Sequence, residues 1–124
     1  MFVVHVSHQD TEPLQQFVEG VVDPQPLVGA RETDQLRVVH VRFEAGGRNL
    51  WHTHGFDQAL FITEGSGIVA TDDEERHVTA GDLVLVPAGE RHWHGATPTT
   101  AMSHLAFGIP GPSDFDGVAY AATE

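Results

Sequence analysis

Two segments of the sequence carry side chains that could bind a metal ion. His52 and His54 are two residues apart, and alternate residues of a β-strand point to the same face, so both imidazoles project together. Gln58 keeps that parity if strand pairing continues in register behind them. His92 lies near the end of a second segment, residues 81–94. We expect His52, His54, Gln58 and His92 to converge on one divalent ion.

Three neutral imidazoles and one amide oxygen suit a borderline divalent ion, namely Mn, Fe, Co, Ni or Zn. Gln58 contributes no negative charge, so the ion keeps its full dipositive charge and acts as a stronger Lewis acid. This favours non-redox catalysis, in which the ion polarises or ionises a bound hydroxyl or carbonyl group. A closed structural metal site, or histidines that only satisfy one another in a polar core, are the alternative interpretations.

Two further histidines could move a proton in this site. His94 lies two residues after His92 and shares its face in an extended strand. His104 shares a face with Met102 and Ala106, and it lies near the ion if that face points inward. An imidazole that binds no metal is the natural acid–base group near neutral pH. The alternative is that each ring only hydrogen-bonds a metal ligand and orients it.

An apolar wall would complete the cavity around the ion. The side chains that we predict to form it are Val39, Val41, Phe43, Leu60 and Met102. Such a wall favours a small, partly apolar substrate, for example an aromatic or aliphatic carbonyl compound. Each of these residues is equally well explained as ordinary core.

Short strands separated by turn signals position these residues. We predict strands at residues 1–7, 14–22, 35–43, 58–63, 68–71, 76–79, 83–86, 91–95 and 100–108. The first should be an edge strand, and the prolines of residues 23–26 should end the second. Residues 64–67 predict a hairpin turn, and residues 109–124 an irregular tail. About ten strands without a convincing helix indicate an all-β barrel or sandwich. His40 takes the outer face of its strand, where we expect a surface or interface histidine.

The spacing of these residues resembles the two cupin motifs. The first motif is matched by Gly46, His52, His54, Gln58 and Gly65, and the second by Gly81, Pro87, Gly89 and His92. Gln58 stands where most cupins have glutamate, and Ala96 where the second motif often has asparagine. The resemblance covers residues 36–108 and implies a jelly-roll barrel, a double-stranded β-helix, as a single domain over residues 1–124 with N-terminal strands in residues 1–22.

Within the superfamily, residues 92–104 together with Gln58 are similar to small bacterial cupins that include manganese-dependent hydroxynitrile lyases. The resemblance implies manganese as the cofactor and cleavage of a cyanohydrin to an aldehyde and hydrogen cyanide. An oxygen-dependent iron or nickel dioxygenase and a non-catalytic binding module are the alternatives. Cupin sheets commonly pack against each other, so the resemblance also implies a homodimer or homotetramer.

The amino-acid composition disfavours several classes of binding partner. The 124-residue chain has 18 acidic and 6 basic residues and a formal net charge of −12, which disfavours nucleic acid and anionic membrane surfaces. No cysteine is present, so disulfides and thiolate ligands are excluded. The N-terminus lacks the basic region and long apolar run of a signal peptide, and we therefore expect a cytoplasmic protein acting on a small molecule.

Overall fold

The computed structural model describes residues 1–120, which contain β-strands and no helix. In chain order the strands are β1 (Val18–Glu19), β2 (Val22–Val28), β3 (Arg37–Phe43), β4 (Arg48–Asn49), β5 (Thr53–His54), β6 (Gln58–Thr71), β7 (Glu75–Thr79), β8 (Leu83–Val86), β9 (His92–Ala96), β10 (Met102–Gly108), β11 (Ser113–Phe115) and β12 (Val118–Tyr120). Within the described part no helix is long and apolar enough to span a membrane. The all-β prediction is confirmed.

The 14-residue strand β6 joins the two sides of the barrel. Its first half pairs with β8 and β10, and β3 and β2 continue that side. Its second half pairs with β7 and β9, and β4 and β1 follow. The predicted hairpin at residues 64–67 was therefore wrong. Gly65 has a φ of 72°, which allows a local bend, but the chain does not reverse there and β6 continues past it.

The predicted strand over residues 14–22 was wrong, since only β1 lies within it, and β2 begins at Val22 and runs through the two prolines that were expected to end the predicted strand. Pro24 lies opposite Val41 and Pro26 opposite Val39 in an antiparallel pairing with β3. The sheet path ends at β2, so a residue without an N–H group leaves no ladder bond unmade on the open side. Edge position explains why proline did not break this strand.

The N-terminal segment forms no strand within residues 1–7, so the predicted edge strand was wrong. The side chain of Gln25 holds the segment by accepting bonds from the backbone N–H groups of Ser7 and His8, at 2.9 and 3.0 Å. His8 Nε2 lies 2.7 Å from His40 Nδ1. His40 is consequently only 6% exposed, which corrects its assignment to the surface.

Residues 113–120 form a hairpin where we expected an irregular tail. Asp116 and Gly117 join β11 to β12, and both have positive φ, at 51° and 98°. An Asp-Gly pair between two short β-prone runs is a strong hairpin signal, and it was available in the sequence. β11 also pairs with β5, so this hairpin lies against the His52–His54 segment. Residues 121–124 of the predicted tail lie outside the described residues.

Apolar residues from both sides of the barrel form one core. The buried cluster consists of Val22, Phe43, Leu60, Ile62, Val69, Val78, Ala96 and Met102. The predicted strand over residues 83–86 is present as β8, but Leu83 and Leu85 are 68% and 65% exposed, so only one of its faces is buried.

We predict that Gly65→Ala destabilises the protein by roughly 3 kcal/mol, because the new Cβ meets the Ala101 carbonyl oxygen at a backbone φ that disfavours side chains. Gly81→Ala is the matched control. Gly81 also has a positive φ, of 97°, but a Cβ there meets nothing within 4 Å, so its cost should be about 1 kcal/mol. Chemical denaturation of the two variants measures the difference, and equal losses would contradict the assigned collision.

Candidate metal centre

A reciprocal pair of backbone hydrogen bonds brings two of the predicted ligands together. The N–H of His52 donates to the carbonyl of His92, and the N–H of His92 donates to the carbonyl of His52, both at 2.9 Å. Residues directly opposite each other in an antiparallel pair point to the same face. The two rings accordingly lie side by side, with centroids 4.2 Å apart.

His54 joins them from the same segment, as the two-residue spacing predicted. Its ring centroid lies 4.8 Å from that of His52 and 5.3 Å from that of His92. One nitrogen of each of the three rings lies within 4.8 Å of the others. His52 and His92 are 2% and 0% exposed, so these rings are withdrawn from water.

The other nitrogen of each ring is committed to an oxygen atom. Nδ1–H donates to the Leu50 carbonyl at 2.7 Å in His52 and to the Glu90 carbonyl at 2.9 Å in His92, and Nδ1 of His54 lies 2.7 Å from the hydroxyl oxygen of Ser113. A carbonyl oxygen only accepts, so in His52 and His92 the proton stays on Nδ1 and Nε2 keeps its lone pair. Nε2 of His54 is buried and has no hydrogen-bond partner among the described residues. Such a set of lone pairs fits a cation.

Gln58 adds an oxygen to this set. It is 9% exposed, and its Oε1 lies 3.3 Å from Nε2 of His92. Both atoms are acceptors in the tautomer that Glu90 imposes, so no proton is available to join them. A divalent ion would satisfy both. The donor set therefore fits a metal, while ligation by these four residues stays a prediction.

Burial keeps the rings neutral. It lowers the pKa of His52 to about 3 and that of His54 to about 4, with a further contribution in each case from repulsion by His92. The pKa of His92 is also lowered by burial. Only the neutral ring can bind a metal, so the site needs little deprotonation near pH 7.

His94 and His104 form a hydrogen-bonded pair beside the cluster. His104 Nε2 lies 3.0 Å from His94 Nδ1, and the His94 ring centroid is 5.6 Å from those of His52 and His92. His94 is 4% exposed and His104 is fully buried, and burial lowers the pKa of both, to about 3 for His104. The structure thus places His94 next to the cluster and His104 behind it.

Asn49 was missed in the sequence and positions His94. Its Oδ1 accepts a bond from the His94 backbone N–H at 2.9 Å, and its amide nitrogen lies 3.1 Å from Nε2 of the ring. Ser113, which fixes His54, was missed too. Neither residue matches a motif, and both reach the site only through strand pairing that joins distant parts of the chain.

The C-terminal hairpin covers the cluster. The Phe115 ring stacks on His52 with centroids 4.8 Å apart. Arg91 holds the hairpin by donating from Nε and Nη2 to the two carboxylate oxygens of Asp116, both at 2.8 Å, and these bonds lower the pKa of Asp116. The hairpin therefore supplies both a hydrogen-bond partner for His54 and an apolar cover to the site.

A cavity of about 190 Å³ reaches Gln58 from the surface. Its lining includes Val39, Ala106, Phe56, Ile109 and Arg37. Of the five predicted wall residues only Val39 is among them. Phe43, Leu60 and Met102 belong to the buried core cluster, and Val41 packs against it, because these side chains lie deeper in the barrel than the mouth.

Comparison with known proteins identifies the same architecture. Residues 39–107, more than half of the chain, match the family described as Cupin domain. A cupin-like protein from Thermotoga maritima has a solved structure that superposes with a TM-score of 0.79 at 31% identity, over 90% of this chain and 85% of that one.

Two kinds of enzyme are among the similar sequences. An (R)-mandelonitrile lyase from Granulicella tundricola is 44% identical over 90 residues, which are 70% of this chain and 67% of that protein. An acireductone dioxygenase from Parasynechococcus marenigrum is 43% identical over 60 residues, which are 45% of this chain and 32% of that protein. The second likeness is confined to about a third of the dioxygenase.

We predict that Ser113→Ala weakens metal binding by about 10- to 100-fold, because His54 loses the partner that orients its ring. Titration of the metal-free protein with Mn²⁺ against a competing chelator measures the change. Ser66→Ala is the control and should leave the affinity as it is: this partly exposed serine of β6 has its hydroxyl 3.3 Å from that of Thr79. An unchanged affinity in Ser113→Ala would remove the hairpin from the account of the site.

Acid should destabilise the metal-free protein. The pKa values of His52 and His104 are lowered by burial to about 3 from an ordinary 6.5, so between these values the unfolded chain binds protons that the folded protein does not. Stability is therefore complete above about pH 6.5 and falls toward pH 3, by about 1.4 kcal/mol per pH unit for each such ring. Thermal unfolding from pH 7.5 to 4.5 tests this, and a constant midpoint would contradict it.

Proposed function

The chain belongs to the cupin family, and from that premise we propose that it is an enzyme that uses a divalent metal ion on a small hydroxy or carbonyl substrate. The observation that carries the proposal is the set of three rings that each bring one nitrogen within 4.8 Å of the others, while Nδ1 of each ring is bonded to an oxygen atom. His52, His54, His92 and Gln58 would hold the ion. When bound, it supplies Lewis acidity to an oxygen atom of the substrate.

His94 is the proposed proton acceptor. It lies beside the ligand rings, and burial lowers its pKa and keeps the ring neutral, so one ring nitrogen has a lone pair that can accept the hydroxyl proton. His104 shares a hydrogen bond with it and can stabilise the proton once transferred. In cyanohydrin cleavage the ring accepts the hydroxyl proton while the carbonyl forms and the carbon–carbon bond to cyanide breaks. The imidazolium then returns the proton to cyanide, which completes the release of hydrogen cyanide and an aldehyde.

The finer assignment is a manganese-dependent hydroxynitrile lyase. The likeness to the (R)-mandelonitrile lyase supports it, since that match spans 70% of this chain and 67% of that protein. Gln58 supports it as well, because an amide adds no charge that would favour higher oxidation states of the ion. The cavity of about 190 Å³ is lined mainly by apolar side chains and suits a small aromatic or aliphatic compound.

A cupin dioxygenase is the second candidate. The match to the acireductone dioxygenase favours it, although only 32% of that protein is covered. The two candidates differ in whether oxygen is consumed. Oxygen uptake by the Fe(II)-loaded protein with a diol substrate would support the dioxygenase, and no uptake would leave the lyase.

We predict that the Mn²⁺-loaded protein cleaves mandelonitrile to benzaldehyde. His92→Ala should abolish both metal binding and the reaction, because it removes a ligand at the centre of the cluster. His94→Gln should retain the ion and lose about 100-fold or more in kcat, the usual contribution of a general base. Benzaldehyde release, followed by absorbance, and metal content measure the two effects.

The exposed histidine of β7 gives the control, since His77→Ala should change neither quantity. A rate that survives His92→Ala would overturn the proposed use of the ion. A rate that survives His94→Gln would overturn only the assignment of the base.

We also propose a homodimer or homotetramer. The outer face of the sheet exposes Leu83, Leu85 and Phe61, at 68%, 65% and 38%, and Leu83 lies directly opposite Phe61. Contiguous exposed apolar residues of this kind often mark an interface. Light scattering should give at least twice the mass of 13.5 kDa, and Leu83→Asp with Leu85→Asp should lower it. A monomeric mass for the unsubstituted protein would contradict the proposal.

A further inference from the structure

Arg37 places a positively charged side chain at the mouth of the cavity that reaches Gln58. Arg37 is the first residue of β3, and the alternation of the strand gives it the same face as Val39, which also lines the cavity. Arg37 is only partly exposed. The side chain of Arg37 therefore lies at the opening of the cavity, and that of Val39 forms part of the cavity wall.

Hydrogen bonds hold Arg37 without neutralising it. Its Nη1 donates to the carbonyl oxygens of Thr33 and Leu36, at 2.7 and 2.9 Å. No carboxylate lies within ion-pair distance of it among residues 1–120, although the chain has 18 acidic residues. Four other arginines are paired with carboxylates, namely Arg42, Arg48, Arg76 and Arg91. An anchored cation with free N–H groups is ready for an anion from outside the chain.

The register of the strands places Arg37 and Gln58 on either side of one residue. Gly108 of β10 lies opposite Arg37, and because Phe107 lies opposite Ala59, Gly108 is also beside Gln58. Two strand spacings separate Arg37 from Gln58, which is about 10 Å between their backbones. The Phe56 ring covers Gly108, and Arg37 and Gln58 both line the cavity beside this ring, so a ligand that reaches both passes along the ring.

The walls and size of the cavity set the body of that ligand. The Phe56 ring packs so closely over Gly108 that a Cβ there would come within 2.6 Å of it. Val39 and Ala106 form the opposite apolar wall. A closed protein cavity of about 150 Å³ can hold benzene. The present cavity of about 190 Å³, open at one end, therefore admits one substituted ring or a short aliphatic chain.

We propose that Arg37 binds a carboxylate of the substrate, so that the site selects small acids with a hydroxyl or carbonyl group at the opposite end. This inference rests on the proposed function, which places the reacting group of the substrate near Gln58. The apolar middle of the substrate lies between Phe56 and Val39. Arg37 is then a specificity-determining residue of this site.

The sharpest test is the binding of two matched ligands to the Mn²⁺-loaded protein. 4-(Hydroxymethyl)benzoate and 4-(hydroxymethyl)benzamide have the same shape, and the carboxylate is too far from the hydroxyl for both to reach one ion. The acid should bind at least about tenfold more tightly by calorimetry, because charged hydrogen bonds to Arg37 are strong. In Arg37→Gln the ratio should fall to about one.

Two further variants complete the design. Arg31→Gln removes the same charge from a nearby exposed arginine and should leave the ratio unchanged. Arg37→Lys keeps the charge and should keep part of the preference, which separates charge from the structural bonds to Thr33 and Leu36. Equal affinities in the unsubstituted protein, no binding of the acid, or a preference that survives Arg37→Gln would each overturn the proposal.

The proposed carboxylate binding and the proposed reaction can be rejected independently. A preference for the acid that depends on Arg37, without turnover of any hydroxy or carbonyl compound, would leave this inference standing and reject the proposed reaction. Cleavage of mandelonitrile without any preference for the acid would do the reverse.

Discussion

The site depends on the hydrogen bonds that hold Nδ1 of three imidazole rings. In His52 and His92 the acceptor of Nδ1–H is a backbone carbonyl two residues earlier, so the turn of the chain itself sets the tautomer. In His54 the hydrogen-bond partner of Nδ1 is the hydroxyl of Ser113, 59 residues away. With the protons of His52 and His92 held outward, their Nε2 lone pairs are buried in the cluster without a proton to share, which is costly unless a cation lies between them. A metal would relieve that cost, and the neutral rings are ready for it.

The barrel makes this convergence possible by one long strand and one late hairpin. β6 passes from one side of the barrel to the other. Gln58 is its first residue, and the residues near its C-terminal end pair with β9, so one strand connects both parts of the site. The hairpin of β11 and β12 then closes over the cluster through Ser113 and Phe115. The four predicted ligands lie between residues 52 and 92, but the serine that bonds His54 and the phenylalanine that covers the cluster come from the hairpin of β11 and β12.

Strand parity accounts for what could be predicted. Alternation placed His52 with His54 and His92 with His94, and the two spaced motifs identified the barrel. Local signals failed where a non-local partner decided the outcome. The glycines of residues 64–67 predicted a chain reversal, but the pairing of β6 with β7 and β9 continues the strand beyond them. The prolines of β2 are tolerated because of edge position, and the position of Ser113 depends on pairing with β5. Neither can be read from nearby residues.

The most direct test of the metal centre is anomalous diffraction from crystals of the Mn²⁺-loaded protein. The account predicts one manganese peak per chain, about 2 Å from Nε2 of His52, His54 and His92 and close to the amide oxygen of Gln58. No peak at this position, or ligation through Nδ1 after the rings have turned, would contradict it.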